Sequence, residues 1–370
     1  MKENEITRPT IMEIDINAFE ENVRQIQKYV GDKITLIPII KANGYGTFIN
    51  NRIEVLNKFD IVAVALVDEA VALRKLGYSK EILVINQPYS DEIQKISNYN
   101  ITIGLSSSDF LDMLIMNNKN YNLSKIKVHL ELETGMGRTG IDKKDLKEYI
   151  QKVKSCDKID VQGIYSHMSS ADFDEEYTNS QIEIFENGVK LIKENFDNIK
   201  YVHISASNGI LNFKNAYYNA TRPGIILYGY EPFEGAGLKI PLKPVCKLKS
   251  RITFLKEVPE GTSIGYSRKY ITKRTSRIAT IPIGYADGFR REYAKDGYVV
   301  INGQRAKILG NICMDSFMAD VTEIKDVKIG DDVYIWDNNI ITLDEIAEKC
   351  NTINYEIMST VSDRVPRIFE

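Results

Sequence analysis

The residues best suited to chemistry stand beside tight turns. Lys41-Ala42-Asn43-Gly44-Tyr45-Gly46 follows the apolar run Ile34 to Ile40. A lysine at the lip of a buried strand either reaches water along its aliphatic stem or does chemistry. An amine whose pKa is lowered by a partly apolar site can attack an aldehyde or serve as a general base. Gly44 and Gly46 let the chain turn tightly beside it, and Tyr45 adds an aromatic hydrogen-bonding group. In Thr134-Gly135-Met136-Gly137-Arg138-Thr139-Gly140, alternating glycines hold backbone close to a ligand around Arg138, the residue type suited to carboxylate or phenolate oxygen. His167, in Tyr165-Ser166-His167-Met168, is a third polar group of this kind, although a lone histidine is more often a satisfied structural one. Two further segments suit an anion. His203-Ile204-Ser205-Ala206-Ser207-Asn208-Gly209 offers hydroxyls where a short helix could start, and Thr221-Arg222-Pro223-Gly224-Ile225 sets an arginine beside a second possible cradle.

What must position these groups is an alternation of strands and helices. Strands are expected at 34–40, 61–67, 81–86, 101–105, 126–133, 161–167, 201–205 and around 225–228. Helices are expected at 18–29, 50–58, 68–76, 90–97, 107–116, 143–153 and 175–195. About eight such repeats over roughly 220 residues predict an α/β fold, a closed (β/α)₈ TIM barrel. Barrel sites lie at the C-terminal lips of the strands, where Lys41, Arg138, His167 and both anion segments fall. From about Phe233 strand patterns take over, at 245–255, 276–282, 298–301, 304–309, 318–321 and 332–335, with helical periodicity mainly at 343–349. The expectation is a barrel domain over 1–232 and a mostly β domain over 233–370. On composition alone, the segments of the latter that contain Tyr266, Tyr285, Met314 and Asp315 are ordinary turns.

The whole chain narrows the function classes. Its 370 residues exceed one ordinary core. A net charge of -3 and a pI of about 5.9 give no reason to expect nucleic acid or an anionic membrane as partner. The start Met1-Lys2-Glu3-Asn4-Glu5 is charged and no apolar run approaches about 18 residues, so a cytoplasmic protein without signal peptide or spanning helix is expected. Four scattered cysteines, expected reduced, and three histidines without ligand spacing argue against zinc.

Taken together in this order, the motifs resemble the alanine racemase family of pyridoxal-phosphate enzymes, over nearly the whole chain from about Ile11 to Phe369. The resemblance implies a barrel plus a β domain, a head-to-tail homodimer with shared active sites, and pyridoxal 5'-phosphate as cofactor. Lys41 resembles the lysine that carries the cofactor and moves the α-proton on one substrate face; Tyr266 matches the tyrosine that enters from the partner subunit and serves the other. His167 resembles the histidine bonded to that tyrosine, Arg222 the arginine on the pyridine nitrogen, and Arg138 the arginine near the phenolic oxygen and substrate carboxylate. Tyr45, Ser207, Tyr355, Gly224 and Ile225 match phosphate-binding positions. Met314 and Asp315 match residues lining the substrate site from the other subunit, and Tyr285 the tyrosine at its entrance. Racemisation needs two bases flanking a planar carbon. Lysine and tyrosine both titrate near 10 in isolation, so each needs its pKa lowered, Lys41 by cations and Tyr266 by its histidine–arginine neighbourhood.

Departures qualify the match. Where many relatives carry a lysine, often carbamylated, this chain has Glu131, a built-in carboxylate expected to orient Arg138. Where relatives commonly have Asn-Ser, it has Ala206-Ser207, which loses a side-chain amide near the cofactor. The expected activity is interconversion of L- and D-alanine for peptidoglycan synthesis. Serine or a broader amino-acid range is the alternative, the segment from His203 being similar to racemase domains of vancomycin-resistance serine racemases. A decarboxylase on the related fold would need a Gly-Ser-Gly type phosphate loop, and only Cys313-Met314-Asp315 is found in its favour. A non-catalytic pyridoxal-phosphate carrier would have no reason to retain both Lys41 and Tyr266.

Overall fold

The computed structural model describes residues 7–121, 124–232, 237 and 239–370. The charged start Met1 to Glu5 and the change of texture at Phe233 lie outside the described residues. The strands, in chain order, are β1 (Ile11–Ile14), β2 (Thr35–Leu36), β3 (Ile61–Val64), β4 (Glu81–Val84), β5 (Thr102–Leu105), β6 (Ile126–Glu131), β7 (Ile159–Tyr165), β8 (Tyr201–His203) and β9 (Ala220–Thr221). They continue as β10 (Cys246–Arg251), β11 (Phe254–Val258), β12 (Ser263–Ile264), β13 (Tyr270–Ile271), β14 (Ser276–Ile281), β15 (Tyr298–Ile301), β16 (Gln304–Leu309), β17 (Phe317–Asp320), β18 (Asp332–Trp336) and β19 (Arg367–Phe369).

β3 to β8 form a parallel sheet in sequence order, and β2 and β9 close it into the expected α/β barrel. Leu36 lies opposite Thr221, Ile39 bridges to Ala63 of β3, and the Arg222 N–H donates to Ser205 O at 2.8 Å beyond the end of β8. All four residues of β3 and of β5 are buried, as strands covered on both faces must be. Helices fill the outer layer. Asp15 caps the helix Ile16–Val30 through Oδ1, 2.8 Å from the Ala18 N–H, and Phe19, Asn22 and Ile26 turn its buried face inward.

Two expectations are corrected. The strand at 34–40 is a regular ladder only over Thr35–Leu36, because Pro38 has no N–H and the segment divides its bonds between two neighbours. Ile37 and Ile39 donate to Thr221 O and Pro223 O, whereas Ile40 donates to Ala63 O and Pro38 O accepts from Ala63. The strand placed around 225–228 is a 3₁₀ turn, Ile225–Tyr228, and the barrel strand there is β9. That apolar run is wholly buried, and burial on all sides does not distinguish a strand from a short helix.

The second domain is built on a nine-stranded sheet in the order β11-β14-β17-β16-β15-β18-β10-β1-β19. β1, which a division at residue 232 groups with the barrel, lies in this sheet between β10 and β19. Arg367 of β19 locks the domain onto the turn after Lys41. Its Nε donates to Gly46 O at 2.9 Å, and its other N–H groups are taken up by the carbonyls of Val361, Ser362 and Val365. Among the described residues no helix is long and apolar enough to cross a membrane, and no group of three or more His, Cys, Asp or Glu could hold a metal ion.

Candidate active site

A cleft of about 330 Å³ opens at the C-terminal lips of the barrel strands. Lys41, Tyr45, Arg138, His167, Ser207, Arg222, Gly224 and Tyr355 all line it, so most of the residues singled out in the sequence meet in one place. Ile225, also expected there, is fully buried just behind the lining.

Lys41 heads an unusual turn. Ala42, Asn43, Gly44 and Tyr45 all adopt left-handed backbone, with φ of 52°, 53°, 62° and 56°. For Ala42 and Tyr45 this conformation costs roughly 1 kcal/mol or more each, so other contacts must hold it. Glu69 does so from the next barrel unit. Its Oε1 accepts from the Ala42 N–H at 2.6 Å and its Oε2 from Ala65 and Leu66 at 2.8 and 3.1 Å. The Lys41 amine makes no hydrogen bond or ion pair among the described residues. Its pKa is lowered by burial and by the Arg138 guanidinium, with Glu69 opposing, which raises the fraction present as free amine.

Arg222 is buried, its guanidinium satisfied mostly by carbonyl oxygens and imidazoles. Nη1 donates to His203 Nδ1 at 2.6 Å and to His203 O at 3.0 Å. Nη2 donates to Ser166 O at 2.7 Å, Ile204 O at 3.1 Å and His167 Nδ1 at 3.2 Å. Nε–H is the donor left without a protein acceptor among the described residues, on a side chain that lines the cleft. Burial takes the guanidinium pKa down to about 10, so it remains a cation at neutral pH. Burial and the nearby charges of Arg222, Arg138 and Lys41 bring His167 down to about 3, so its imidazole is neutral.

All three histidines of the chain have lowered pKa values, by burial first. In the unfolded chain they titrate near 6.5. Below that pH the unfolded chain takes up protons that the folded one refuses, so stability is complete above about pH 6.5 and is lost as the pH falls, for His167 down to about 3. The expected loss is roughly 1 kcal/mol per pH unit for His167, with His129 and His203 adding to it in the same direction. Denaturant unfolding between pH 7 and pH 5 measures it, and a flat profile would contradict the buried neutral imidazoles.

The same cleft is also lined by a hydroxyl-rich cradle. The Gly224 N–H donates to Ser207 Oγ at 3.1 Å, and the Ile225 amide, first in its 3₁₀ turn, has no acceptor within that turn. A Cβ on Gly224 would stand 2.7 Å from the Tyr45 hydroxyl, so only glycine lets the phenol approach this backbone. Tyr45 packs against Tyr355 with ring centroids 5.9 Å apart. Burial raises both phenols, so both keep a proton to donate to an anion. Tyr355 arrives on the helix Asn354–Ser359, which the strand patterns of the second domain do not predict.

The remaining site residues sit elsewhere. Tyr266, Met314 and Asp315 line a shallow depression on the β domain, and Tyr285 is held beside it by its N–H on Cys313 O at 3.0 Å. Tyr266 is 71% exposed, in a turn where Gly265, Ser267 and Arg268 all have positive φ. The loop carrying Tyr285 is anchored by the fully buried Asp287. This carboxylate accepts from Gly284 N–H at 3.0 Å and pairs with Arg8 at 2.7 Å, and Arg364 joins it to Asp315.

Glu131 does not pair with Arg138 as expected. Its Oε1 accepts from the Thr139 hydroxyl at 3.0 Å, its Oε2 is buried without a hydrogen bond, and Arg138 acts on it only through space. Burial raises the Glu131 pKa, opposed by Thr139, Tyr165 and the two arginines. Sequence reasoning missed Glu69, Tyr165 and Asp172. Tyr165 and Asp172 line the cleft, and Tyr165 was within reach, since it stands two residues before His167 at the end of a predicted strand.

Comparison with known proteins agrees across the whole chain. Residues 14–232 match the family model for the alanine racemase N-terminal domain, and residues 245–369 the one for its C-terminal domain. The alanine racemase of Halothermothrix orenii is 37% identical over 99% of this chain and 98% of that protein. Among solved structures, alanine racemase of Clostridium difficile 630 superposes with a TM-score of 0.93 at 32% identity, covering 99% of this chain and 97% of the other. Alanine racemase of Bacillus anthracis with bound L-Ala-P gives 0.92 at 31% identity, covering 99% and 96%. With a cleft of this composition on a fold matched from end to end, the chain belongs to the alanine racemase family of isomerases.

Proposed function

We propose that the chain interconverts L- and D-alanine with pyridoxal 5'-phosphate in the barrel cleft, as a cytoplasmic homodimer supplying D-alanine for peptidoglycan. The observation that carries this reading is the buried Arg222, a cation with one donor free on a cleft lined by the amine of Lys41 and a hydroxyl cradle. These residues fit the cofactor. Tyr45, Ser207, Tyr355 and the Ile225 amide suit its phosphate, with the Gly224 N–H holding Ser207 Oγ in the cradle; Arg222 Nε–H suits its ring nitrogen, Arg138 its phenolic oxygen, and Lys41 its aldehyde carbon.

When bound, pyridoxal phosphate supplies a conjugated ring that spreads the charge left at the substrate α-carbon as its proton departs. Lys41, its pKa lowered, takes or returns that proton on one face. Tyr266 of the partner subunit serves the other face, which accounts for a tyrosine 71% exposed on its own chain. Neutral His167 turns Nδ1 to Arg222 and so has Nε2 to offer this phenol. Arg138 holds the substrate carboxylate, while Met314, Asp315 and Tyr285 line and gate the site across the dimer. Arg222 does not give up a proton, so it leaves the ring a weaker electron sink and suppresses transamination. Arg222→Glu is expected to raise pyruvate release per turnover of alanine. Unchanged reaction specificity would refute that role.

Ala206 lines the cleft where relatives commonly have asparagine, which favours a second reading, a racemase for serine or a broader amino-acid range. Purified protein assayed against a panel of L-amino acids with chiral detection separates the two: alanine turned over well above serine supports the first. Incorporation of deuterium at the α-carbon from deuterated water is expected in either case. A bound cofactor without exchange would leave only a carrier.

A further inference from the structure

Arg222 is the inner end of a longer line of buried groups. From His203, whose Nδ1 it meets at 2.6 Å, the line continues through His203 Nε2 to His129 Nδ1 at 2.9 Å. His129 Nε2 makes no hydrogen bond among the described residues but faces Glu81 Oε1 at 3.8 Å, and the Thr102 hydroxyl donates to that same oxygen at 3.1 Å. These residues come from β8, β6, β4 and β5, and the line crosses the barrel interior. Arg222 lies at the cleft, whereas Glu81 is the first residue of β4, towards the opposite end. His129 and His203 are fully buried, and the Glu81 side chain reaches the surface with 12% exposed. Space for the His129 ring comes from Gly163, where a Cβ would lie 2.5 Å from the imidazole.

The donors can be assigned without choice. A guanidinium only donates, so His203 Nδ1 must accept. Burial and the Arg222 charge hold His203 well below its ordinary pKa, and burial lowers His129 as well, so both imidazoles are neutral at neutral pH. A neutral His203 with bare Nδ1 has its proton on Nε2 and donates it to His129 Nδ1. His129 must then carry its own proton on Nε2, on the side of Glu81. Every N–H of the line points from the cleft towards the carboxylate.

We propose that Glu81, His129 and His203 are positioning residues, a one-way line of two hydrogen bonds ending in a carboxylate that acts across 3.8 Å, which sets the orientation and donor strength of Arg222 from the far end of the barrel. The carboxylate acts on the His129 N–H through its charge, and the two hydrogen bonds beyond pass that polarisation on, which makes His203 Nδ1 a stronger acceptor and fixes the plane of the guanidinium, and with it the direction of Nε–H. The relay rests on the racemase reading only in that Arg222 meets the cofactor; the direction of the line stands on its own.

With three histidines in the chain, full-length protein isotope-labelled at the histidine nitrogens and loaded with pyridoxal phosphate gives three imidazole patterns by NMR. Both relay histidines are expected to be neutral, with a pyrrole-like Nε2 and a pyridine-like Nδ1. In Glu81→Gln the His203 resonances are expected to move, although Glu81 makes no contact with that ring. An Nδ1–H tautomer or an imidazolium at either residue at neutral pH overturns the relay. Glu81→Gln should also lower kcat about tenfold, the lower end of what partners behind metal-ligating histidines contribute. The KM for alanine should stay constant, because Arg138 is not on the line. Unchanged kcat would count against the relay, whereas an unaltered chain inert towards every amino acid would sink the racemase reading and leave the tautomers to decide the relay.

Discussion

Mixing Lys41→Ala chains with Tyr266→Ala chains, each inactive alone, is expected to restore about a quarter of the unaltered racemase activity once subunits exchange, as an isologous two-fold dimer requires. The arithmetic follows from which chain supplies which group. In a mixed dimer, one cleft has lost both Lys41 and the incoming tyrosine, while the other has an intact Lys41 and an intact Tyr266 of the partner subunit. About half the dimers are mixed at equal ratio and each has one working site of two. The basis is the separation seen within one chain: Lys41 lines the barrel cleft, and Tyr266 lies 71% exposed in the depression on the β domain. A mixture that stays as inactive as its components, with subunit exchange verified by a tag, would show that the two groups do not meet across a dimer.

Lys41→Ala alone is expected to reduce kcat by about ten-thousandfold or more, since on the proposed reading it removes both the covalent attachment and one of two bases. The fold should survive. The amine has no hydrogen bond or ion pair among the described residues, and the turn behind it is held through backbone groups by Glu69. Far-ultraviolet circular dichroism and the unfolding midpoint should therefore match the unaltered chain. The absorbance that borohydride bleaches in the loaded enzyme should be missing. Retention of more than about a hundredth of the activity would mean that another group moves the proton, because a positioned base is worth roughly a hundredfold to ten-thousandfold.

How far the sequence could be read depended on how local the determining interactions are. The barrel was legible because its strands and helices each follow their own periodicity, and Lys41, Arg138 and His167 were legible because they follow predicted strands. Pro38 and the run Ile225 to Tyr228 misled on extent and type, since a ladder's hydrogen bonds and a fully buried turn are settled by neighbours distant in sequence. Tyr266 has no local signature at all. Its turn is irregular and its surroundings on one chain are solvent, so residue type and spacing alone would never have singled it out. Glu69 was invisible for a related reason: it acts on Ala42, 27 residues away, through one backbone bond.

The place of β1 bears on how the molecule is made. Met12 pairs with Arg367 and with Leu248, so β1 waits for β19 before its sheet is complete. The barrel can assemble behind it from near-neighbour units while the ribosome is still at work, whereas closing the sheet joins residues as distant as Met12 and Arg367 and must come late. Severing the chain between the two regions would strand β1 on the wrong fragment, leaving the C-terminal piece with a gap in its sheet where β10 and β19 should be joined.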